Sequence, residues 1–240
     1  MNNPIIIGKA TLHNMDCMEY MAGLPDNYFN LAITDPPYGI GFDGEVSAMA
    51  SNNSKKWTNA KEKGYARKDW DSAVPSQEYF NELARVSKKQ IIWGGNYFNL
   101  PQSTGWIFWD KGTAEGMTLS AGELAWTNFQ RSVNKISILW AGFRKVETES
   151  RIHPTQKPIK LYEWLLKNYA KEGDKILDTH LGSMSSVIAC LNMGYEITGC
   201  ELDADYFAAG VKRVEQSQKQ STLFAPIPPA IQQIQEGMFA

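Results

Sequence analysis

Cysteine is scarce: Cys17, Cys190 and Cys200 are the only three in 240 residues, and their spacing suggests no pairing. A disulfide framework and a cysteine zinc site are therefore not expected. The three histidines are equally scattered, and no metal role is assigned. No run of about 18 apolar residues and no leader-like segment is found, so nothing points to a membrane span or to export, and a cytoplasmic protein is expected. Positive charge is not in excess either. Lys and Arg number 24 against 26 Asp and Glu, for a formal net charge of −2. Such a total does not advertise a nucleic-acid partner, although a phosphate backbone responds to local patches rather than to pI. No internal repeat is present, and the length fits one α/β domain with a sizeable core.

Short apolar runs alternate with helical patterns, which predicts a mostly parallel sheet with helices on both faces. Strands are expected at 31–34, 90–93, 106–109, 124–127, 136–140, 175–178 and 196–201. Helices are expected at 76–87, 159–171, 185–193 and 204–216.

The most informative motif is Asp35-Pro36-Pro37-Tyr38, directly after the apolar run Leu31-Ala32-Ile33-Thr34. An amino group on an aromatic base shares its lone pair with the ring and is a poor nucleophile until its hydrogens are held in a tetrahedral arrangement. Asp35 is suited to accept one hydrogen. The Pro36 carbonyl is suited to accept another, because a Pro-Pro step is rigid and lacks amide donors. Tyr38 offers a flat face to a base extruded from a duplex. The same four residues also read as a strand-to-turn transition.

A second motif, Leu177-Asp178-Thr179-His180-Leu181-Gly182-Ser183, lies far downstream. With these two motifs in this order the chain resembles the DNA amino-methyltransferases whose catalytic motif precedes the cofactor motif, the beta class, over roughly residues 9 to 215. Asp-Pro-Pro-Tyr resembles the adenine-modifying members more than the cytosine-modifying ones. The resemblance implies a Rossmann-like methyltransferase fold, catalytic half before cofactor half, with S-adenosylmethionine as methyl donor. It implies direct transfer to the 6-amino group of adenine in double-stranded DNA, without a covalent intermediate. The alternatives are transfer to the 4-amino group of cytosine, or a methyltransferase-like protein that binds DNA without turnover.

Lys175 to Asp178 reads as a strand entering a tight loop, and Ser185 onward as a helix, which brings free backbone amides to a ligand. Gly182 permits close approach, and Ser183, Ser185 and Ser186 can donate to a carboxylate. Glu201, at the end of the next strand, is spaced to bind ribose hydroxyls, while Asp203 fits as the following helix cap. Asp178, His180 and Asp35 complete the expected cofactor wall. From the family resemblance, Thr155 and Lys157 in His153-Pro154-Thr155-Gln156-Lys157-Pro158 help enclose the methionine end of the donor. Asp16 lies near its adenine, although Asp16 also fits as an N-cap. Asn96 or Tyr97, after Trp93-Gly94-Gly95, lines the base pocket in the same scheme. The family usually shows Asp-Pro-Phe-x-Gly-Ser-Gly where this chain has Thr179, His180 and finally Met184, a bulky residue expected to narrow the donor pocket or to demand a different backbone path.

Arg131, Lys135, Arg144, Lys145 and Arg151 form the densest basic stretch and are the expected DNA-facing residues, within a compact recognition segment at 128–151. Residues 41–75 break the strand and helix alternation and read as a flap over DNA. The domain is expected to span 1–218, with a flexible tail at 219–240. In that tail Gln220-Ser221-Thr222-Leu223-Phe224 loosely resembles a sliding-clamp peptide, and family analogy raises a homodimer.

Overall fold

The computed structural model describes residues 3–41, 69–113, 120–141, 144–145 and 152–223. Its strands are β1 (Ile5–Ile7), β2 (Ala10–His13), β3 (Phe29–Thr34), β4 (Ser87–Trp93), β5 (Trp106–Asp110), β6 (Gly122–Thr127), β7 (Asn134–Ser137), β8 (Trp140–Ala141), β9 (Arg144–Lys145), β10 (Lys175–Asp178) and β11 (Glu196–Cys200). The helices are α1 (Cys17–Ala22), α2 (Gln77–Val86), α3 (Ile159–Tyr169), α4 (Ser185–Met193) and α5 (Ala204–Leu223). Nine strands join in the order β1-β2-β11-β10-β3-β4-β6-β5-β7, and β8 pairs only with β9. The central block β2-β11-β10-β3-β4 is parallel, whereas β6 runs antiparallel to both β4 and β5.

Side chains on a strand alternate between faces, and the core divides accordingly. Leu31, Ile33, Ile91 and Trp93 pack on the side of α3, α4 and α5, with Leu161, Leu165, Val187, Ile188 and Val214. Ala32, Ile92 and Leu177 face α1 and α2, meeting Met21, Tyr79, Phe80 and Leu83. The central strands are covered on both faces, which explains their nearly unbroken apolar runs. This is the layering expected from the sequence.

Three expectations shift. The stretch 136–140 is not one strand: β7 ends at Ser137, and Trp140 pairs with Lys145 instead. The Trp140 amide bonds the Lys111 carbonyl and its indole bonds the Gln156 carbonyl, drawing the chain off the sheet edge. Helix α5 runs to Leu223, past both the expected end at 216 and the expected domain boundary at 218. Finally, the turn after the Asp16 cap extends into helix α1, and the hairpin β1-β2 adds two strands to those expected.

Candidate active site

Both motif loops leave the carboxyl ends of adjacent central strands. β3 and β10 are parallel neighbours, with Leu31 opposite Ile176 and Ala32 opposite Leu177. From β10 the chain proceeds to β11 on one side, and from β3 to β4 on the other. Where connections diverge like this, a crevice opens beyond the strand ends, and ligands of open α/β sheets bind there.

Two chambers occupy that crevice. One, about 780 Å³, is lined by Asp16, His153, His180, Gly182, Ser183 and Glu201 among others. The second, about 460 Å³, is lined by Pro36, Tyr38, Asn96, Tyr97, Glu123 and Trp140 among others. Asp35, Pro37, Trp70, Thr155, Gln156 and Lys157 border both. The expected catalytic residues thus lie at the junction, Asp35 and Pro37 on the shared wall and Pro36 and Tyr38 on the second chamber alone.

Asp35 is surrounded by polar partners. Its Oδ1 accepts from the Tyr38 hydroxyl at 2.7 Å, and its Oδ2 is ion-paired with the Lys157 ammonium. Lys157 is 3% exposed and also meets Glu123 at 3.1 Å, and Glu123 meets Lys111 at 2.5 Å. Burial pushes the Asp35 carboxyl up against the pull of Lys157. For Glu123 burial is overcome by Lys157 and Lys111, which hold it down to about 2. Burial opposes the Lys157 charge, yet Asp35 and Glu123 raise its pKa above the ordinary lysine value.

Tyr38 stacks on Tyr97, ring centroids 5.0 Å apart and planes 13° from parallel. A turn at Gly94 makes room for it. Gly94 has φ +69°, and a Cβ there would lie 2.2 Å from the Tyr38 ring. The Tyr38 and Gly39 amides both donate to Asp71 Oδ1, at 2.7 and 2.9 Å. The end of the expected 41–75 flap therefore braces the Asp35-Pro36-Pro37-Tyr38 loop through Asp71, and Trp70 joins the shared wall. Residues 42–68 lie outside the described residues.

In the second motif loop the Gly182 amide donates to Glu201 Oε2 at 2.8 Å, and the Asp203 amide donates to Glu201 Oε1 at 2.9 Å. One carboxylate ties two adjacent loops while still facing the chamber. Asp203 accepts from the Asp205 and Tyr206 amides and caps α5. Asp16 lines the chamber and also accepts from the Met18 amide at 2.6 Å, capping α1. Thr155 borders both chambers, its hydroxyl 3.1 Å from His153 Nδ1. Among the described residues the buried Nε2 of Gln156 has no hydrogen-bond partner, while its Oε1 accepts from the Ile152 amide.

Asp178 and Ser185 do not border the larger chamber; they support its loop from within. Ser185 donates to the Lys157 carbonyl at 2.7 Å. Asp178 accepts from Ser186 at 2.5 Å and from the His180 amide at 3.1 Å. Thr179 and His180, the departures from Pro-Phe, form a hydroxyl cluster. The Thr179 hydroxyl lies 2.7 Å from those of Thr34 and Tyr79 and 3.0 Å from His180 Nδ1. Burial holds the His180 imidazole down to about 4. Met184 does not line the chamber; of its two expected effects the structure shows an unusual backbone, left-handed at φ +58°. It is fully buried, its Cγ and Sδ packed where a Cβ on Gly210 would stand at 2.8 Å.

A pH test follows from Asp178. Burial raises its carboxyl from 3.8 to about 7, against the Ser186 and His180 bonds. Between these values the folded chain holds a proton that the unfolded chain has lost. This contribution is therefore complete below pH 4 and is lost as pH rises to 7, at roughly 1.4 kcal/mol per unit. The lowered His180 gives the opposite slope between about 4 and 6.5, so the difference between Asp178→Asn and the parent is the clean readout. Urea titrations should show that variant gaining on the parent as pH rises from 4 to 7; a pH-independent difference would refute the assignment.

Of the basic stretch, Arg131 and Lys135 border neither chamber. Arg131 precedes β7, at the end of the sheet opposite the crevice, where it donates to the Asn168 carbonyl at 2.9 Å and lies 4.9 Å from the Tyr169 ring centre. The structure does not place it beside Asp35. Lys135 is half-exposed on edge strand β7 and pairs with Asp110 at 2.8 Å. Arg144 and Lys145 form β9, and Arg151 lies outside the described residues. Sequence reasoning missed Trp70, Asp71, Lys111, Glu123 and Gln156. The available signal for Glu123 was a lone acid in the otherwise apolar run Gly122-Glu123-Leu124-Ala125-Trp126.

Residues 125–212 match the family model N6_N4_Mtase, described as DNA methylase. Among curated relatives, the Escherichia coli protein YubD, named a methylase, is 25% identical over 228 residues, covering 85% of this chain and 89% of its own. The Type II methyltransferase M2.DpnII of Streptococcus pneumoniae is 24% identical over 252 residues, covering 86% and 90%. Among solved structures, a complex of M1.HpyAVI with S-adenosylmethionine is similar at TM-score 0.51 and 18% identity, covering 85% of this chain and 99% of that one. The PvuII DNA methyltransferase, cytosine-N4-specific by name, is similar at TM-score 0.54 and 13% identity, covering 88% and 90%. No helix among the described residues is long and apolar enough to cross a membrane. The chain thus matches the N6_N4_Mtase model over residues 125–212, and its Rossmann-like mixed sheet is similar in fold to those two solved methyltransferases.

Proposed function

We propose that the chain is a DNA methyltransferase that uses S-adenosylmethionine to methylate the 6-amino group of adenine. The observation that carries this reading is the shared wall: a chamber of about 780 Å³ and one of about 460 Å³ meet at Asp35. The larger is the size of a small-molecule site, and its chemistry suits the donor. Asp16 and Glu201 offer carboxylates to ribose hydroxyls and an ammonium, Ser183 offers a hydroxyl to a carboxylate, and the unpartnered Gln156 Nε2 offers a further donor. The smaller chamber, with Tyr38, Tyr97, Trp109 and Trp140, offers flat faces to an extruded base.

When bound, the donor supplies a methyl group carried on a positive sulfur. The chain's residues act on the amine. Asp35 and the Pro36 carbonyl accept its hydrogens, which holds its lone pair out of the ring's conjugation, and the Asp35 carboxylate stabilises positive charge as it develops on nitrogen. Pro37 and Trp70 border both chambers and limit water at the junction. Met184 packs in the core and does not line the donor chamber, which favours a catalytic reading over DNA binding without turnover.

Adenine is favoured by Asp-Pro-Pro-Tyr itself; cytosine, with the same amine chemistry, is the alternative. Labelled methyl transfer to unmethylated genomic DNA, followed by nucleoside analysis, separates them. Labelled 6-methyladenine is expected, and labelled 4-methylcytosine would replace this reading.

A second expected result concerns Gly94. In Gly94→Ala the left-handed backbone costs roughly 1 kcal/mol, and the new Cβ displaces the Tyr38 ring. Methyl transfer should fall at least tenfold while calorimetric S-adenosylmethionine affinity stays within about twofold, a geometric loss of the kind that misplacement produces. Unchanged transfer would separate Tyr38 placement from activity.

A further inference from the structure

Resting on the reading of Asp35 as the amine acceptor, we propose that Lys157 and Glu123 are positioning residues for Asp35. Lys157 fixes the orientation and charge of the carboxylate, and Glu123, itself anchored by Lys111, fixes Lys157. This departs from the family-derived assignment of Lys157 to the methionine end of the donor.

Four alternating charges run from β3 to β5. Asp35 follows β3, Lys157 precedes α3, Glu123 lies in β6 and Lys111 follows β5. Each is paired with the next. The Lys157 Nζ also lies 5.4 Å from the Trp93 ring centre and 5.7 Å from that of Tyr38, so aromatic faces confine the ammonium as well. The Tyr38 hydroxyl is 3.3 Å from it and donates to Asp35. A lysine 3% exposed, held at several points, is a fixed charge rather than a roaming one. Removing Lys157 would leave the buried Asp35 carboxylate without its counter-charge, a state that protonation relieves.

Other titratable groups also face Asp35. Tyr38 belongs to its own loop, Tyr162 to α3 and Asp178 to β10. Among these and the charged chain, Lys157 draws the Asp35 carboxyl down and Glu123 pushes it up. Loss of the two partners therefore has opposite signs, whereas a merely structural role for either would give no such opposition.

The test uses the full chain with carbon-13 in the aspartate carboxyls, the Asp35 signal being identified by its loss in Asp35→Asn. Lys157→Met should raise the Asp35 titration midpoint by about 1 to 3 pH units. Glu123→Gln should lower it, and Lys157→Arg, which keeps the charge, should restore most of the parent value. The acid limb of the methyl-transfer rate should move in the same directions, with the KM for S-adenosylmethionine within about twofold. An unmoved midpoint in Lys157→Met, shifts of one sign in both variants, or loss of donor affinity without a shift would overturn the proposal. If Lys157→Met fails to fold, Glu123→Gln decides alone, its lowered midpoint supporting the proposal and a raised or unmoved one overturning it. Opposed shifts in a chain that transfers no methyl to DNA would sink the proposed function and leave this inference standing. Transfer without opposed shifts would do the reverse.

Discussion

Asp35→Asn is expected to lower the rate of methyl transfer to DNA by on the order of 10²- to 10⁴-fold, the range that a positioned proton-accepting group contributes. The substitution preserves shape. An amide still presents one oxygen to the Tyr38 hydroxyl, whose present distance to Oδ1 is 2.7 Å, and Lys157 keeps Glu123 at 3.1 Å. What is lost is the negative charge facing the amine and one acceptor for its hydrogens. Because the donor chamber has many other walls, S-adenosylmethionine affinity should change little. A single-turnover measurement at saturating donor isolates the step. A variant within tenfold of the parent would mean that the amine is activated elsewhere.

The second large effect is on stability, at the residue that opens α4. Met184 has φ +58° and ψ +29°, a left-handed conformation that favours glycine, yet its side chain is fully buried against α5. Met184→Ala should cost about 2–5 kcal/mol, since it opens a cavity without relieving the backbone. Met184→Gly removes one carbon more but releases roughly 1–2 kcal/mol of left-handed strain. Glycine should therefore be the less damaging of the two, reversing the usual order for core truncations. Gly210→Ala should destabilise the parent, its Cβ meeting Met184 at 2.8 Å, and should cost less when combined with Met184→Gly. Chemical denaturation of the four variants checks this, and simple additivity would contradict it.

The central sheet was legible because its strands are buried on both faces and carry unbroken apolar runs between turn residues. β10 and α4 begin and end where the pattern puts them. β1 was hidden by its position: Ile5 and Ile6 are 37% and 70% exposed on a three-residue edge strand, so hydrophobicity there reports no core. Helix α5 outruns its expected end because the Gln- and Pro-rich composition from Gln216 onward suggests a tail, although Gln is a good helix former. Asp35, Tyr38, Gly182 and Glu201, which border the chambers, are marked in the sequence by their local chemistry. Glu123 and Lys111 act through contacts made across the sheet, which residue spacing does not report. Arg131 illustrates the converse, since closeness in sequence to other basic residues did not bring it to the crevice face of the sheet.

The division of labour between the two chambers is tested most directly by the structure of the full chain soaked with S-adenosylmethionine. The account predicts donor density in the chamber walled by Asp16, His180, Gly182 and Glu201, with the methyl-bearing sulfur turned toward Asp35. Donor density among Tyr38, Tyr97 and Trp140, or no density at a donor concentration far above that needed for activity, would contradict it.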